Sequence, residues 1–450
     1  MFPVPPGRAW SAELYDFGNP SAQEERMRFL INLARLDPEA EADRLGLLNT
    51  HPDDVPDGTY DVGEGITLQG LPDQRDYWGR YHGPRQVLAW NAALNAAARN
   101  HSQDMHQFSF FSHHTQQSSH GYPGPGEGYP GAAPADRAYI EGYPCHFVGE
   151  NIATNNYAGQ YPPQSVHDDL FRDTPIAGRG HRRNILHSFW REVGVGAYSG
   201  EPNAEGWTDF WTIDFASDAF RAGGYDDPNP PPETVYLTGV AFDDDGDGQF
   251  TPGEQMPGVQ VLAWSGGEQL KYYAITADGG GYSIPLLDAD GGDLAEGQVV
   301  EVAFFDPVRH AYLQAQAAVQ GGDVVFEDDD GPTPMTFHQR FNVWVDALAA
   351  DFSPLLDGDA NLDGRVGIAD LGALADNYGQ TGRAWVHGDF NFDGKVGIAD
   401  LGAIADNYGV EAGQDRLLVP GPPTALLLAI AGAALVRRRC RRGLSSRSGT

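Results

Sequence analysis

The sequence predicts a multidomain chain with a mixed α/β N-terminal region, an all-β sandwich, a small α-helical repeat pair and a C-terminal hydrophobic tail. Three observations carry this reading. At 450 residues the chain is too long for one core. Its apolar periodicity switches from helical to alternating beyond Asp226-Asp227-Pro228-Asn229-Pro230-Pro231-Pro232, which reads as a stiff, extended spacer. Finally, 23 residues starting at Asp357 recur 30 residues later with five differences.

Composition narrows the function classes. Acidic residues number 63 against 29 basic ones, a formal charge of −34. That argues against a nucleic-acid partner, because phosphate is met by Lys and Arg. It suits solubility and hard cations that prefer oxygen ligands, although a salt-adapted surface explains it equally. Cys145 and Cys440 are the two cysteines, too few for a disulfide framework. Met1 to Trp10 is Pro-rich without an apolar core, so no secretory signal is read there and an export leader is expected outside these residues.

In the N-terminal region, Ser21-Ala22-Gln23-Glu24 forms a capping box. The helix it opens places Met27, Leu30, Ile31 and Ala34 on one face and ends at Pro38. Residues 50–85 read as a long loop. A second helix is expected from about Arg85, with Trp90, Leu94, Ala97, Ala98, His101 and Met105 on its buried side. Phe110-Phe111-Ser112-His113 leaves this helix. After a Gly/Pro/Tyr-rich loop, Gly149-Glu150-Asn151-Ile152-Ala153 is expected to open a short helix. Another helix around Ser165–Phe171 leads to Gly180-His181-Arg182-Arg183-Asn184-Ile185-Leu186. Two strand-like runs, Glu192 to Ala197 and Trp207 to Phe215, close the region.

Taken in this order, FFSH, GENIA, GHRRNIL, EVGVG and WTDFWTIDFA resemble the bacterial branch of the CAP superfamily, the cysteine-rich secretory, antigen and pathogenesis-related proteins. The resemblance implies an α-β-α sandwich over residues 15–222, with a cleft lined by two histidines and one or two acids. By motif these are His113, Glu150 and His181. The second glutamate of many eukaryotic members has no counterpart in His167-Asp168-Asp169-Leu170-Phe171-Arg172-Asp173. Two imidazoles and a carboxylate suit an open Zn²⁺ or other divalent-metal site, or a general acid/base set. No G-x-S-x-G or H-E-x-x-H motif supplies a nucleophile or a zinc helix. Plainer roles compete: His101 as a core histidine, His114 as a solvent-facing neighbour, Glu150 as a helix cap, Arg182 and Asn184 as loop fasteners, and Glu192 as a surface residue.

Residues 233–350 read as the β-sandwich, with runs at Val235–Phe242, Gly258–Trp264, Leu270–Ala277, Tyr282–Leu287 and Gln298–Phe305. Between the first two lies a calcium-loop pattern whose donors are Asp243, Asp245, Asp247, Gln249, Thr251 and Glu254. This block resembles the repeat domains of bacterial surface adhesins, which implies a stalk. Residues 355–411 hold the duplicated segment. Its copies place Asp359, Asn361, Asp363 and Asp370, then Asp389, Asn391, Asp393 and Asp400, at calcium-loop spacing, with Arg365 and Lys395 supplying backbone carbonyls. Short helices follow, with Ile368, Leu371, Leu374 and Tyr378, and then Ile398, Leu401, Ile404 and Tyr408, as their apolar sides. The tandem resembles type I dockerins, which implies two Ca²⁺ ions and a cohesin-like partner.

Residues 417–442 join Val419-Pro420-Gly421-Pro422 to an apolar run, Ala425–Val436, and then to five arginines. The arrangement resembles a PEP-CTERM sorting signal, with Gly421 in place of the usual Glu; a plain membrane anchor is the alternative. The combined expectation is an exported, cell-surface, calcium-binding protein with a polysaccharide or cell-wall ligand. A hydrolase acting through His113, Glu150 and His181 is the competing expectation.

Overall fold

The structure is a computed structural model that describes residues 12–47, 85–144, 147–156, 161–173, 176, 180–187, 189–217, 234–326 and 335–412. The 226–232 spacer, the 417–442 segment and both cysteines lie outside the described residues. Among the described residues no helix is long and apolar enough to cross a membrane.

The N-terminal region builds three layers. Its elements in order are β1 (Glu13–Leu14), α1 (Ala22–Leu36), α2 (Pro38–Arg44), β2 (Ala89–Trp90), α3 (Ala92–Gln107), α4 (Pro134–Ile140), β3 (Val148–Asn155), α5 (Pro163–Arg172), α6 (Gly180–Leu186), β4 (Glu192–Ser199) and β5 (Asp209–Ala216). The sheet order is β2-β4-β5-β3, so β3 is an edge strand. Strand alternation sorts the two faces. Trp211, Ile213 and Phe215 share a core with Met27 and Ile31 of α1 and Val166 and Phe171 of α5. Ala216 packs with Leu94 and Ala97 of α3 and Ala138 of α4, on the opposite face.

Two expectations change here. Trp90 belongs to the short strand β2, and α3 starts after Asn91, whose Oδ1 accepts from the amides of Ala93 and Leu94. Gly149 to Ala153 lies in β3 and opens no helix: it pairs residue for residue with the WTIDFA strand, and that ladder overrides the helical leaning of Glu and Ala. The Ser21–Glu24 capping box is present at the start of α1.

The glycines of EVGVG let α3 lie directly on the sheet. A Cβ on Gly194 would stand 2.1 Å from the Leu94 carbonyl carbon, and one on Gly196 would stand 2.2 Å from that of Ala98. Both obstacles are backbone, so neither can swing aside. Gly194→Ala is expected to cost about 1–3 kcal/mol by overpacking, read as a lowered urea midpoint with unchanged slope.

Beyond residue 234 the strands are β6 (Tyr236–Phe242), β7 (Gln260–Ser265), β8 (Glu268–Gln269), β9 (Tyr272–Ile275), β10 (Gly281–Pro285), β11 (Val299–Asp306), β12 (Ala311–Ala318), β13 (Gln320–Phe326), β14 (Met335–Phe341), β15 (Val343–Trp344), β16 (Ala347–Leu348) and β17 (Ser353–Pro354). One sheet runs β1-β9-β7-β11-β12-β17, with β8 on β7. A second runs β10-β6-β15, with β16 on β6. They face each other through Val261, Ala263, Val302 and Phe304 on one side and Leu237, Ala241, Tyr282 and Ile284 on the other.

The N-terminal layers and the sandwich share one hydrophobic core. Glu13 and Leu14 add a parallel strand to β9. Phe29 of α1 sits among Phe242, Phe250 and Trp344. Arg28, wholly buried, donates to Thr238 Oγ1, the carbonyls of Leu88 and Gly239, and Glu25. Glu192 is buried, not a surface residue, and accepts from Asn91, Tyr143 and Tyr236. The sandwich is therefore joined to the N-terminal layers as part of one packed body, which a stalk reading does not describe.

The outer face of the large sheet carries the duplicated segment. Leu262, Trp264, Phe305 and Tyr312 pack against Leu362, Val366, Leu374, Trp385 and Ile404. Its helices are α7 (Ile368–Asn377) and α8 (Ile398–Asn407). The copies interlock. Val366, in the first loop, bonds to Val410 beyond the second helix, and Val396, in the second loop, bonds to Gly379 and Gln380 beyond the first. Ile368 and Ile398 are 73% and 68% exposed, so the apolar sides start at Leu371 and Leu401 instead.

Candidate functional site

Glu150 leaves the edge strand β3 toward α3 and α4, on the same face as Asp214, its partner across the β3–β5 ladder. Its carboxylate is buried and doubly held. The His113 ring donates from Nδ1 to Oε1 at 2.7 Å, and Arg137 of α4 donates to Oε2. Arg137 also donates to the carbonyls of His113 and Ala132, so one buried guanidinium fixes both the loop and its acid. Burial alone would raise the Glu150 carboxyl; Arg137, with His101 and His113, outweighs it and keeps the group below the ordinary carboxylate range. His113 itself has a side chain 49% exposed.

His101 lies on α3 beneath this loop, fully buried, with Nε2 bonded to the Ser112 carbonyl at 2.9 Å. Burial, then the charge of Arg137, lowers its imidazole to about 4, so it is neutral. It anchors the loop one residue before His113. His114, read as a solvent-facing neighbour, is half-buried, and His113 is the exposed one of the pair.

His181 does not join Glu150. Its Nδ1 donates to Asp173 Oδ1 at 2.8 Å and its backbone amide to Asp173 Oδ2 at 2.9 Å. Asp173 is 2% exposed and sits at φ +49°, a left-handed conformation uncommon outside glycine. Helix α6 is fastened to β3 by Asn151, which donates to the His181 carbonyl, and by Asn184, which donates to the Glu150 carbonyl and to Asn151 Oδ1. Gly149 leaves the room this requires: a Cβ there would stand 2.7 Å from the Trp190 ring.

The expected trio thus appears as two dyads flanking the edge strand, His113–Glu150 and His181–Asp173. Each imidazole donates from Nδ1 to a buried carboxylate, which fixes its tautomer and leaves Nε2 as the acceptor nitrogen. Arg137, Asp173 and Asp214 were not singled out from the sequence. Asp214 alone left a mark there, as a lone acid inside the apolar run Phe210 to Ala216. A divalent cation held jointly by His113, Glu150 and His181 does not fit this geometry. Both Glu150 oxygens are engaged, and Arg137 would repel the ion.

The calcium-loop donors divide into two cases. In the 243–254 loop, Asp243 pairs with Arg309 at 2.8 Å and Gln249 accepts from Arg26, while Asp244, Asp245 and Asp247 gather their carboxylates within 4.8 Å of one another. Glu254 accepts from the amides of Asp245 and Thr251.

In the tandem loops the two copies repeat each other. Asp359 accepts from the amides of Asp363 and Gly364, and Asp389 from those of Asp393 and Gly394. Asn361 and Asn391 accept from the same Asp363 and Asp393 amides. Asp370 Oδ2 accepts from Gly367, and Asp400 Oδ2 from Gly397. Gly364 and Gly394, at φ +83° and +76°, make the sharp turn. Arg365 pairs with Glu411 through its side chain, and Lys395 bridges by backbone to Thr381. Burial, reinforced by the neighbouring acids, pushes Asp359 and Asp389 up to about 7 each. Buried carboxylates facing like charges are an environment that a hard cation relieves.

Comparison with known proteins bears on the N-terminal region. The family model of the cysteine-rich secretory protein family, CAP, matches residues 76–215. No curated protein matches the chain. Among solved structures, an outer surface protein from Borrelia burgdorferi is similar to 28% of this chain over 75% of its own length, at 12% identity and a TM-score of 0.21. The motifs, the three-layered arrangement and the family match agree on a CAP domain at residues 76–215.

Proposed function

We propose that this is an exported, surface-associated binding protein whose CAP domain holds a polar ligand, of polysaccharide or cell-wall type, at the edge of β3. One observation carries the reading: two imidazoles, each fixed at Nδ1 by a buried acid, flank the same strand, with the His113 side chain 49% and the His181 side chain 22% exposed. Such rings bind hydroxyl, amide or anionic groups without first being ordered. The acidic chain and the tandem loops support a calcium-braced scaffold beneath the domain, with a cohesin-like partner as its attachment and the 417–442 segment as its link to the membrane.

An imidazole oriented by a buried carboxylate is also a general base, which favours a hydrolase as the second reading. Binding of soluble cell-wall fragments to the full chain, compared with His113→Ala and His181→Ala, separates the two. Loss of a hydrogen bond to a charged or oriented imidazole weakens binding about 10- to 100-fold per variant. Unchanged affinity in both variants removes the proposed site. Fragment cleavage that both variants abolish establishes the hydrolase instead.

A further inference from the structure

Asp214 is fully buried, and neither carboxyl oxygen has a hydrogen-bond donor within reach. In the sheet it lies between Glu150 on β3 and Gly194 on β4, which has no side chain. The groups facing it are Glu150, Arg137 of α4 and, across the same site, His101 of α3, with His113 beyond Glu150. Arg137 is already matched by Glu150, and His101 is neutral. An ionised Asp214 would be an unmatched charge in a buried place with nothing to donate to it, an arrangement proteins avoid by neutralising the group. As a neutral acid it owns an O–H, and the acceptor opposite is the Glu150 carboxylate, which has lone pairs beyond those used by His113 and Arg137.

We infer that Asp214 is a neutral carboxylic acid at neutral pH and that its O–H holds Glu150 in the orientation that receives His113. Asp214 is thereby a positioning residue, one step behind the His113–Glu150 dyad. Burial and the Glu150 charge both drive its carboxyl well above the ordinary range, in the same sense as the geometry. The neutral form matters to the dyad, since it leaves Glu150 with a single matched charge and a fixed plane against which the imidazole is set. The inference rests on the dyad being the working part of the proposed site. Its test reads Asp214 directly, whether or not a ligand is found.

The test is a carboxyl-carbon NMR titration of the full chain with labelled aspartate, Asp214 being assigned through its own Cβ and backbone in the wild type. Asp214 is expected to keep the shift of a protonated acid through neutral pH. A wild-type Asp214 signal that ionises near the free-aspartate value of about 3.9 overturns the inference. The His113 ring is then titrated in two variants. Asp214→Asn keeps a donor and should leave the midpoint in place. Asp214→Val removes the donor and should displace it. Equal midpoints in the two variants, or equal displacement, also overturn it.

Discussion

Arg28→Ala should destabilise the chain by about 3–5 kcal/mol, the range for breaking a buried ion pair by removing one partner. The guanidinium is wholly buried between the CAP domain and the sandwich, and its hydrogen bonds reach both. Removing it takes one donor each from the Leu88 and Gly239 carbonyls and the Thr238 hydroxyl, and leaves Glu25 buried with Trp90 as its remaining side-chain donor. Burial already raises the Glu25 carboxyl despite Arg28. Without Arg28 it rises further, so the folded variant binds a proton that the unfolded chain does not. The variant should therefore gain stability as pH falls below neutral. Chemical denaturation across pH checks both statements. Because the two regions share one core, a single transition that moves as a unit is expected. Two separated transitions in the wild type would contradict the packing described.

The elements that could be read from the sequence were those governed by local rules. Ser21 and Glu24 cap α1 whatever lies nearby, and the doubled Asp-x-Asn-x-Asp-Gly loops announce their own turn geometry. Leu94, Ala97, Ala98 and Met105 of α3 lie at helical spacing, and all of them are buried. What could not be read depends on distant partners. Gly149 to Ala153 becomes a strand because a strand some 60 residues later pairs with it. Glu192 looks like a surface acid until Tyr143 and Tyr236 arrive from two other elements. Ile368 and Ile398 have the right spacing for a buried stripe, yet the face of each helix that meets the sheet starts one turn later. At the candidate site the local motifs gave His113, Glu150 and His181. The residues that fix them, Arg137 and Asp173, sit in stretches with no motif.

Chelation should unfasten the tandem segment selectively, and the dependence on pH should reverse with it. A cation held by the folded loops alone, at a free concentration a thousand times its dissociation constant, adds about 4 kcal/mol per site. The loops interlock, so losing one ion weakens both. In chelator, Asp359 and Asp389 titrate near 7 in the folded state and near 3.9 when unfolded. Between those values the folded segment binds more protons, so its stability falls as pH rises toward neutral. With Ca²⁺ bound the carboxylates stay ionised at the ion, and that decline should vanish. Hydrogen exchange of peptides from 357–409 in the full chain reads this locally: protection in chelator should drop steeply by neutral pH, whereas the α3 and β5 peptides should hold theirs. Equal protection with and without Ca²⁺ would remove the calcium claim. Loss at 357–409 together with β11 and β12 would mean that the ions brace the large sheet itself, which the seat of Trp385 and Ile404 beside Phe305 and Tyr312 makes the natural route for any such spread.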